Sequence, residues 1–147
     1  MACLLGIATR NKARGEMILL QRAEITLEKG TECDFRGKPG KRQVTVLTQE
    51  GWQAACAVVG QSLPWHERRA NLYIGGLVLP RSQGQIIGIG KLRLLITRET
   101  DPCERMERVS PGLFAALASE WRGGVCCRVL TAGAVEVGDE VVLIDER

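Results

Sequence analysis

Alternation of apolar and polar residues runs through most of the chain, and a period of two is typical of half-buried β-strands. In residues 91–97 the apolar side chains stand at every second position. Residues 43–48 alternate in the same way and are rich in β-branched residues, which favour strands. Further strands are predicted within residues 7–17 (followed by a basic loop), 17–28 (with a bend near 22–24), 71–80, 125–131, 134–137 and 140–144, whereas residues 84–90 are predicted to be rich in turns.

Helical spacing is limited to short segments. Residues 49–59 place their large apolar side chains on one side and are followed by Gly60, a residue type that commonly ends helices. Residues 113–121 repeat leucine or tryptophan at four-residue steps, which predicts another buried helix face. Many short strands, glycine-rich turns and few helices together predict an all-β chain, a barrel with helical excursions.

A further helix is predicted to begin shortly after the strand at 91–97. Asp101 is a favourable N-cap, Pro102 suits the first helical position, and Glu104 completes a capping box. Cys103 would then lie in the first helical turn, where free backbone N–H groups and the helix dipole favour a thiolate. Cys103 is therefore a candidate nucleophile or metal ligand. The alternative is a packed apolar residue, the commoner role of a free cysteine.

Length and composition are those of one domain, residues 1–147, with a sizeable core. Apolar residues make up 45% of the chain, which is ordinary for a folded protein. We expect no transmembrane helix, because no run of about 18 apolar residues occurs. The first residues lack the basic and apolar regions of a secretory signal, so the expected location is the cytoplasm.

Six cysteines stand at positions 3, 33, 56, 103, 126 and 127 without Cys-x-x-Cys spacing, and His66 is the only histidine in the sequence. A structural zinc site normally uses four Cys or His ligands in close pairs, so the pattern disfavours one. In a reducing compartment we expect all six thiols to be free. A Ser-His-Asp or Cys-His catalytic group would have to use His66, which as an alternative is a solvent-facing loop residue.

Arginine dominates the basic residues, with 15 Arg against 5 Lys and a net charge of +3. The planar guanidinium group suits phosphate or carboxylate, so an anionic small ligand is favoured. Three Trp, two Phe and one Tyr without a basic stripe argue against a nucleic-acid partner. Three segments combine arginine with glycine or other small residues, and each alone is also compatible with a solvated loop: residues 10–14, 68–71 and 122–128.

Several of these segments, taken together and in order, resemble the MOSC family, named after the C-terminal domain of molybdenum-cofactor sulfurases. The resemblance covers nearly the whole chain. It includes an early glycine turn that ends in aspartate, an Arg-x-Asn-Leu segment, the segment of the family's characteristic cysteine and a C-terminal signature. The residues that carry it are 30–34 with 42–46, 68–72 with 75–77, 96–103, and 122–125 with 128–130 and 137–139.

The resemblance implies a distorted closed β-barrel similar to the pyruvate-kinase barrel domain. It also implies a molybdenum–molybdopterin cofactor, with Cys103 corresponding to the thiolate that ligates molybdenum or carries a sulfur atom in characterised relatives. A thiolate is a suitable ligand for a soft metal centre. Some relatives use this cofactor to reduce N-hydroxylated compounds. The cofactor-binding residues that the resemblance implies for this chain are Arg68, Arg69, Asn71, Arg128, Lys12 and Arg14.

This sequence differs from the family in two features, one in the glycine turn and one in domain content. Cys33 stands where the family's glycine turn has its second glycine. The sequence contains no pyridoxal-phosphate domain, so electrons or sulfur are expected to come from a separate donor protein.

The sequence is also compatible with two other functions. One is a carrier of sulfur or cofactor with no turnover of its own. The other is a plain β-barrel interaction module, because residues 137–143 also resemble barrel domains of translation GTPases. No membrane partner is expected for any of these functions.

Overall fold

The computed structural model describes residues 1–13 and 15–144, and the chain there is mainly β with a few short helices. This class agrees with the prediction. The helices are α1 (Gln49–Val59), α2 (Glu104–Val109) and α3 (Leu113–Ala118), with a 3-10 helix at Trp65–Arg68. The strands are β1 (Cys3–Thr9), β2 (Ile18–Leu20), β3 (Arg22–Thr26), β4 (Gly30–Thr31), β5 (Val44–Thr48), β6 (Leu72–Gly75), β7 (Ile86–Ile89), β8 (Leu92–Glu99), β9 (Val125–Thr131), β10 (Gly133–Glu136) and β11 (Val141–Ile144).

Eight strands form one mixed sheet in the order β11-β7-β8-β9-β5-β6-β1-β2, and β10-β3-β4 form a second, small sheet. Strands β5 and β6 run parallel, and the other pairs of described strands are antiparallel. The large sheet is not closed into a barrel, so the predicted closed barrel is not confirmed. Strand β1 approaches the opposite end of the sheet at an isolated bridge between Cys3 and Glu140, the residue before β11, while β2 continues the sheet beyond β1 as an edge strand.

The predicted long strand at 17–28 is two strands that belong to different sheets. The break lies at Gln21, just before the predicted bend, and the Gln21 carbonyl accepts a hydrogen bond from the backbone of Val137 at 2.9 Å. This bond brings the chain next to the C-terminal strands, so β3 pairs with β10 while β2 stays with β1.

The core consists of two apolar clusters on opposite sides of the large sheet's central strands. In β8 the side chains of Leu92, Leu94 and Ile96 are fully buried, as the alternation predicted. They belong to the first cluster, which the strands build among themselves. The second cluster packs the helices onto the sheet and is centred on Trp52 and Leu117. Each fully buried side chain of this size contributes about 1.5–3 kcal/mol of transfer free energy.

Helix α1 has the predicted bounds, because both of its ends carry residues suited to caps. The Thr48 hydroxyl accepts a hydrogen bond from Gly51 N at 3.0 Å, and Gly60 closes the helix in the left-handed conformation. Helix α3 is shorter than predicted, since Glu120 and Trp121 take positive φ values of 54° and 58°. None of the helices in the described part of the chain has the length and apolar character needed to cross a bilayer.

Helix α2 begins later than predicted, and the capping box centred on Asp101 is wrong. Cys103 is the N-cap residue, with extended backbone angles of φ −117° and ψ 162°. The Thr100 N–H donates to Gly124 O at 2.9 Å, so sheet pairing keeps this segment extended beyond β8. The Asp101 carboxylate instead pairs with Arg98 at 3.5 Å on the surface.

Candidate functional site

A cavity of about 240 Å³ lies next to the start of α2 and is strongly basic. Its walls come from the end of β1, the loop between β4 and β5, the 3-10 helix and α2. One thiol, six guanidinium groups and one carboxylate line it. These residues are Cys103, Arg10, Arg36, Arg42, Arg68, Arg69, Arg105 and Asp34, together with Thr45, Asn71 and Met106.

Cys103 is the cysteine that lines this cavity, and its side chain is exposed. Of the other five, Cys33 is also exposed, Cys3 is half-buried, and Cys56, Cys126 and Cys127 are buried. Burial raises the pKa of both the Cys56 and the Cys127 thiols, which keeps them protonated and inert. Access therefore singles out Cys103 as the thiol able to react or to bind a metal inside a basic site.

Metal binding at Cys103 would not rest on a cluster of protein ligands. Among the described residues, no group of three or more His, Cys, Asp or Glu side chains is close enough to hold an ion. A metal at Cys103 would therefore have to bring ligands of its own.

Arg68 lies at the end of the 3-10 helix and is only 6% exposed. Its Nε donates to Gly123 O at 3.2 Å, and its Nη2 donates to Thr100 O at 3.3 Å and Asp101 O at 3.2 Å. Burial lowers the pKa of Arg68, while the nearby charge of Cys103 acts in the opposite direction. Most of the donors of the Arg68 guanidinium group are therefore occupied by hydrogen bonds to backbone carbonyl groups beside the cavity.

Arg10 and Arg69 lie close to other guanidinium groups of the cavity. Burial lowers the pKa of Arg10 and of Arg69, and neighbouring guanidinium groups lower both further. Within the described residues the side chains of Arg36, Arg42 and Arg69 make no hydrogen bond or ion pair. An anion in the cavity would relieve this repulsion and supply acceptors for these donors.

Local contacts also hold Arg105 and Arg10 in place. Arg105 of α2 forms an ion pair with Glu67 at 3.4 Å and also donates to the Glu67 carbonyl group. Arg10 lies over the ring of Phe35 at 4.9 Å, and its backbone N–H donates to the Asp34 carboxylate at 3.1 Å. These contacts attach α2 to the 3-10 helix, and the loop after β4 to the end of β1.

Asn71 is 5% exposed, and its amide group connects three strands. Nδ2 donates to Ala8 O at 3.2 Å, while Oδ1 accepts from Thr45 N at 3.1 Å and from the Thr45 hydroxyl at 3.4 Å. The side chain lies in the cavity wall, but its hydrogen bonds hold β1, β5 and β6 together.

The structure brings four of the predicted site residues to one cavity and leaves the others elsewhere. Cys103, Arg68, Arg69 and Asn71 line it together. Arg128 points outward from β9 and lines a separate groove with Leu27, Pro39 and Leu130. Lys12 is exposed in the loop after β1 and is not a lining residue, and Arg14 lies outside the described residues. His66 belongs to the 3-10 helix and does not line the cavity.

Four arginines of the cavity were not among the predicted site residues: Arg10, Arg36, Arg42 and Arg105. Arg10 and Arg105 stand in segments whose basic character the sequence does show. Arg36 and Arg42 flank a loop rich in glycine and proline, which folds toward β1 through the bond between Asp34 and Arg10. That contact joins residues 24 positions apart, so no local pattern indicates it.

The turn that departs from the family pattern has a left-handed residue where glycine would be expected. Cys33 has a φ of 61°, and the turn is closed by a hydrogen bond from Asp34 N to Thr31 O at 3.1 Å. Glycine adopts this conformation without steric cost, whereas a residue with a Cβ pays about 1 kcal/mol. The turn therefore forms in this chain with cysteine in the left-handed position.

Comparison with known proteins gives a consistent family and fold. The sequence profile of the MOSC domain matches residues 26–142. The YUAD protein from Bacillus subtilis has a similar structure, with a TM-score of 0.81 at 19% identity over 100% of this chain and 98% of that one. YiiM from Geobacillus stearothermophilus gives a TM-score of 0.78 at 15% identity, over 98% of this chain and 75% of that one. YiiM from Escherichia coli gives 0.69 at 15% identity, over 99% and 71%.

No curated protein matches the chain in a sequence comparison. At these identities the structural neighbours establish the fold alone. The match to the MOSC sequence profile covers most of the chain, including Cys103, Arg68 and Arg69, and it establishes the family. The chain therefore belongs to the MOSC-domain family.

Proposed function

We propose that this chain binds a molybdenum–molybdopterin cofactor in the arginine-lined cavity, with Cys103 as the molybdenum ligand or as a sulfur-carrying thiol. The observation that carries the proposal is the position of an exposed cysteine sulfur among six guanidinium groups. Membership of a family associated with this cofactor supports it.

The residues of the cavity fit the two chemical ends of such a cofactor. Cys103 offers a soft sulfur donor for molybdenum. Arg36, Arg42 and Arg69 offer guanidinium groups for a phosphate. The cavity of about 240 Å³ is smaller than the ~300–1,000 Å³ of pockets that enclose drug-sized ligands, so it suits part of the cofactor. When bound, the cofactor supplies the redox chemistry, which for this chain we propose to be the reduction of N-hydroxylated substrates.

The electrons for such a reduction would come from a separate donor protein. The exposure of Cys103 favours a site that another protein can reach. The six free thiols suit a reducing compartment, and we propose the cytoplasm as the location.

A second candidate function is a sulfur carrier, and the exposure of Cys103 favours it. A persulfide on Cys103 would be open to a donor and an acceptor protein, whereas buried Cys56, Cys126 and Cys127 would not. The surrounding guanidinium groups would stabilise the anionic form of a persulfide as they would a phosphate. This function requires no turnover by the domain itself.

Metal and sulfur analysis of three proteins tests these functions. The wild-type chain, Cys103→Ser and Cys33→Ser are purified from molybdenum-replete cells, and purified cofactor is added to a second portion of each. Cys33 is the matched control, because it is exposed but does not line the cavity. We expect molybdenum in the wild type and Cys33→Ser and little in Cys103→Ser.

Sulfane sulfur released by cyanide separates the carrier from the cofactor-binding domain. Sulfur on the wild type without molybdenum supports the carrier. Turnover of an N-hydroxylated purine with an artificial electron donor supports the reductase. Absence of both molybdenum and sulfane sulfur from the wild type, even after addition of cofactor, would contradict both functions.

A further inference from the structure

Arg68 makes contacts that differ from those of the other arginines around the cavity. Within the described residues the side chains of Arg36, Arg42 and Arg69 make no hydrogen bond, whereas two side-chain nitrogens of Arg68 donate to three backbone carbonyl groups. Two of these carbonyls belong to Thr100 and Asp101, which immediately precede the Pro102-Cys103 pair. Arg68 is therefore bonded to the backbone that delivers Cys103 to the cavity.

The third carbonyl connects this segment to the start of β9. Gly123 O accepts from Arg68 Nε, and the next residue, Gly124, accepts from Thr100 N at 2.9 Å. The Thr100 hydroxyl also lies 3.4 Å from the sulfur of buried Cys126. The backbone before Cys103 is thus held by β9 on one side and by Arg68 on the other.

Gly123 has to be small for Arg68 to reach this place. A Cβ at position 123 would lie 2.9 Å from Thr100 O and 3.1 Å from Arg68 Nη2. Gly123 belongs to residues 122–128, one of the three segments that combine arginine with glycine. In the structure, the space above Gly123 is filled by the guanidinium group of Arg68 and the Thr100 carbonyl.

The 3-10 helix that carries Arg68 is itself firmly attached. At its start the Trp65 ring stacks on Tyr73 with ring centroids 5.0 Å apart. In its middle Glu67 pairs with Arg105 of α2 at 3.4 Å. Arg68 therefore extends from a fixed base, and a fixed base is what a residue needs in order to hold a loop.

We infer that Arg68 is a positioning residue, which fixes the backbone at Thr100 and Asp101 so that the Cys103 sulfur faces the cavity. The inference deepens the proposed function, because the position of Cys103 matters to the extent that its sulfur binds metal or carries sulfur. A buried planar fork that bonds three carbonyls from two segments has a geometry that an ammonium group does not reproduce. The charge of Arg68 alone is therefore insufficient for this role.

Hydrogen exchange measured by mass spectrometry on the full chain without cofactor tests the inference. Arg68→Lys keeps the charge, and Arg68→Met keeps the approximate length of the side chain while removing both the charge and the hydrogen-bond donors. Arg122→Lys is the matched control, because Arg122 lies beside Gly123 but bonds a single carbonyl, that of Ala116 at 3.3 Å.

We expect both Arg68 variants to speed exchange across residues 99–106 about ten-fold, with β5 and β6 unchanged, and the control to behave like the wild type. Exchange that stays at the wild-type rate in either folded Arg68 variant would overturn the inference. If one of the two variants does not fold, the other decides.

A second measurement reports on Cys103 itself. Cofactor-loaded proteins are dialysed, and the half-time of molybdenum loss is compared. The inference predicts that Arg68→Lys loses molybdenum about ten-fold faster than either the wild type or Arg122→Lys. The positive charge that lysine retains does not restore the position of the Cys103 sulfur. Equal half-times in Arg68→Lys and the wild type would contradict the positioning role.

The two measurements separate the inference from the proposed function. A wild-type chain that holds no molybdenum contradicts cofactor binding, and the exchange data then still decide whether Arg68 holds the backbone before Cys103. Unchanged exchange with normal molybdenum content contradicts the role of Arg68 and leaves the proposed function supported.

Discussion

The indole ring of Trp65 lies directly against the backbone of Gly6 in β1. A Cβ at position 6 would come within 2.6 Å of Cζ2 and 2.9 Å of Cε2 of that ring. The register of β1 against β6 also shifts between Leu4 and Gly6, at the same place. Because Trp65 begins the 3-10 helix that ends at Arg68, a glycine in the first strand determines where a cavity arginine stands.

Gly6→Ala is expected to lower the free energy of unfolding by about 1–3 kcal/mol, the usual cost of forcing extra volume into a packed region. The Trp65 ring is stacked on Tyr73, so it cannot move away from the new methyl group without losing that contact. Urea unfolding followed by tryptophan fluorescence measures the change.

A double-mutant cycle with Trp65→Leu checks the cause. On the Trp65→Leu background the Gly6→Ala substitution should cost at least ~1 kcal/mol less than it does in the wild type, because the ring that it meets is gone. The same cost on both backgrounds would show that the strand itself, and not the indole ring, requires glycine.

Asn71→Ala should lower the free energy of unfolding by about 2–3 kcal/mol. The substitution removes a buried amide and leaves Ala8 O and Thr45 N without their partner. Asn71→Asp should also destabilise, because a carboxylate cannot donate to Ala8 O. Asn11→Ala, at an exposed amide, should change stability by less than ~0.5 kcal/mol. If Asn71→Ala also changed the free energy of unfolding by less than ~0.5 kcal/mol, the role of Asn71 in holding the strands together would be contradicted.

Arg69→Ala is expected to weaken binding of inorganic phosphate or molybdate about ten-fold, because a hydrogen bond to a charged group contributes ~1.5–3 kcal/mol. Arg128→Ala is the control and should leave the dissociation constant unchanged, since Arg128 lines a different groove. Isothermal titration calorimetry at low and high salt gives both values. Equal losses in the two variants would place the anion outside the cavity.

Tyr73, the only tyrosine in the sequence, gives the protein a specific alkaline pH dependence. Burial, followed by the charges of Cys56 and Glu50, raises its pKa from 10.0 to about 12. Above pH 10 the unfolded chain loses this proton while the folded chain keeps it, so stability falls as the pH rises from 10 toward 12.

Two measurements check this prediction. Tyrosinate absorbance reports this one residue, and its midpoint should lie near pH 12 in the folded protein and near 10 in urea. Tyr73→Phe should reduce the alkaline loss of stability, while part of the loss remains because the buried Cys56 and Cys127 thiols ionise on unfolding. A folded midpoint near 10 would show that the hydroxyl group is solvated.

The alternation of side chains made the strands predictable, because the side-chain direction depends only on neighbouring residues. In β8 the pattern identified the buried face of Leu92, Leu94 and Ile96. The start of α2 was mispredicted because Asp101 and Glu104 form a local capping pattern, and the bond from Thr100 to Gly124 overrides it. The closed barrel depended on how the two ends of the sheet meet, and residues as distant as Cys3 and Glu140 give no local signal.

The candidate site was predictable in its location more than in the roles of its residues. The family resemblance pointed to Cys103, Arg68, Arg69 and Asn71, which share one cavity, and their part in cofactor binding stays a prediction. The amide of Asn71 reaches a carbonyl 63 positions away, and the guanidinium of Arg68 one that is 55 positions away. Such partners are visible only in three dimensions.

The left-handed turn at Cys33 offers a practical route to the chemistry of Cys103. Two exposed thiols on one chain can cross-link separate molecules in air, and each competes for any sulfur-directed reagent. Glycine at position 33 would remove the competing thiol and at the same time relax a backbone angle that a side chain strains. A Cys33→Gly protein should therefore be both easier to keep monomeric during purification and more stable than the natural chain.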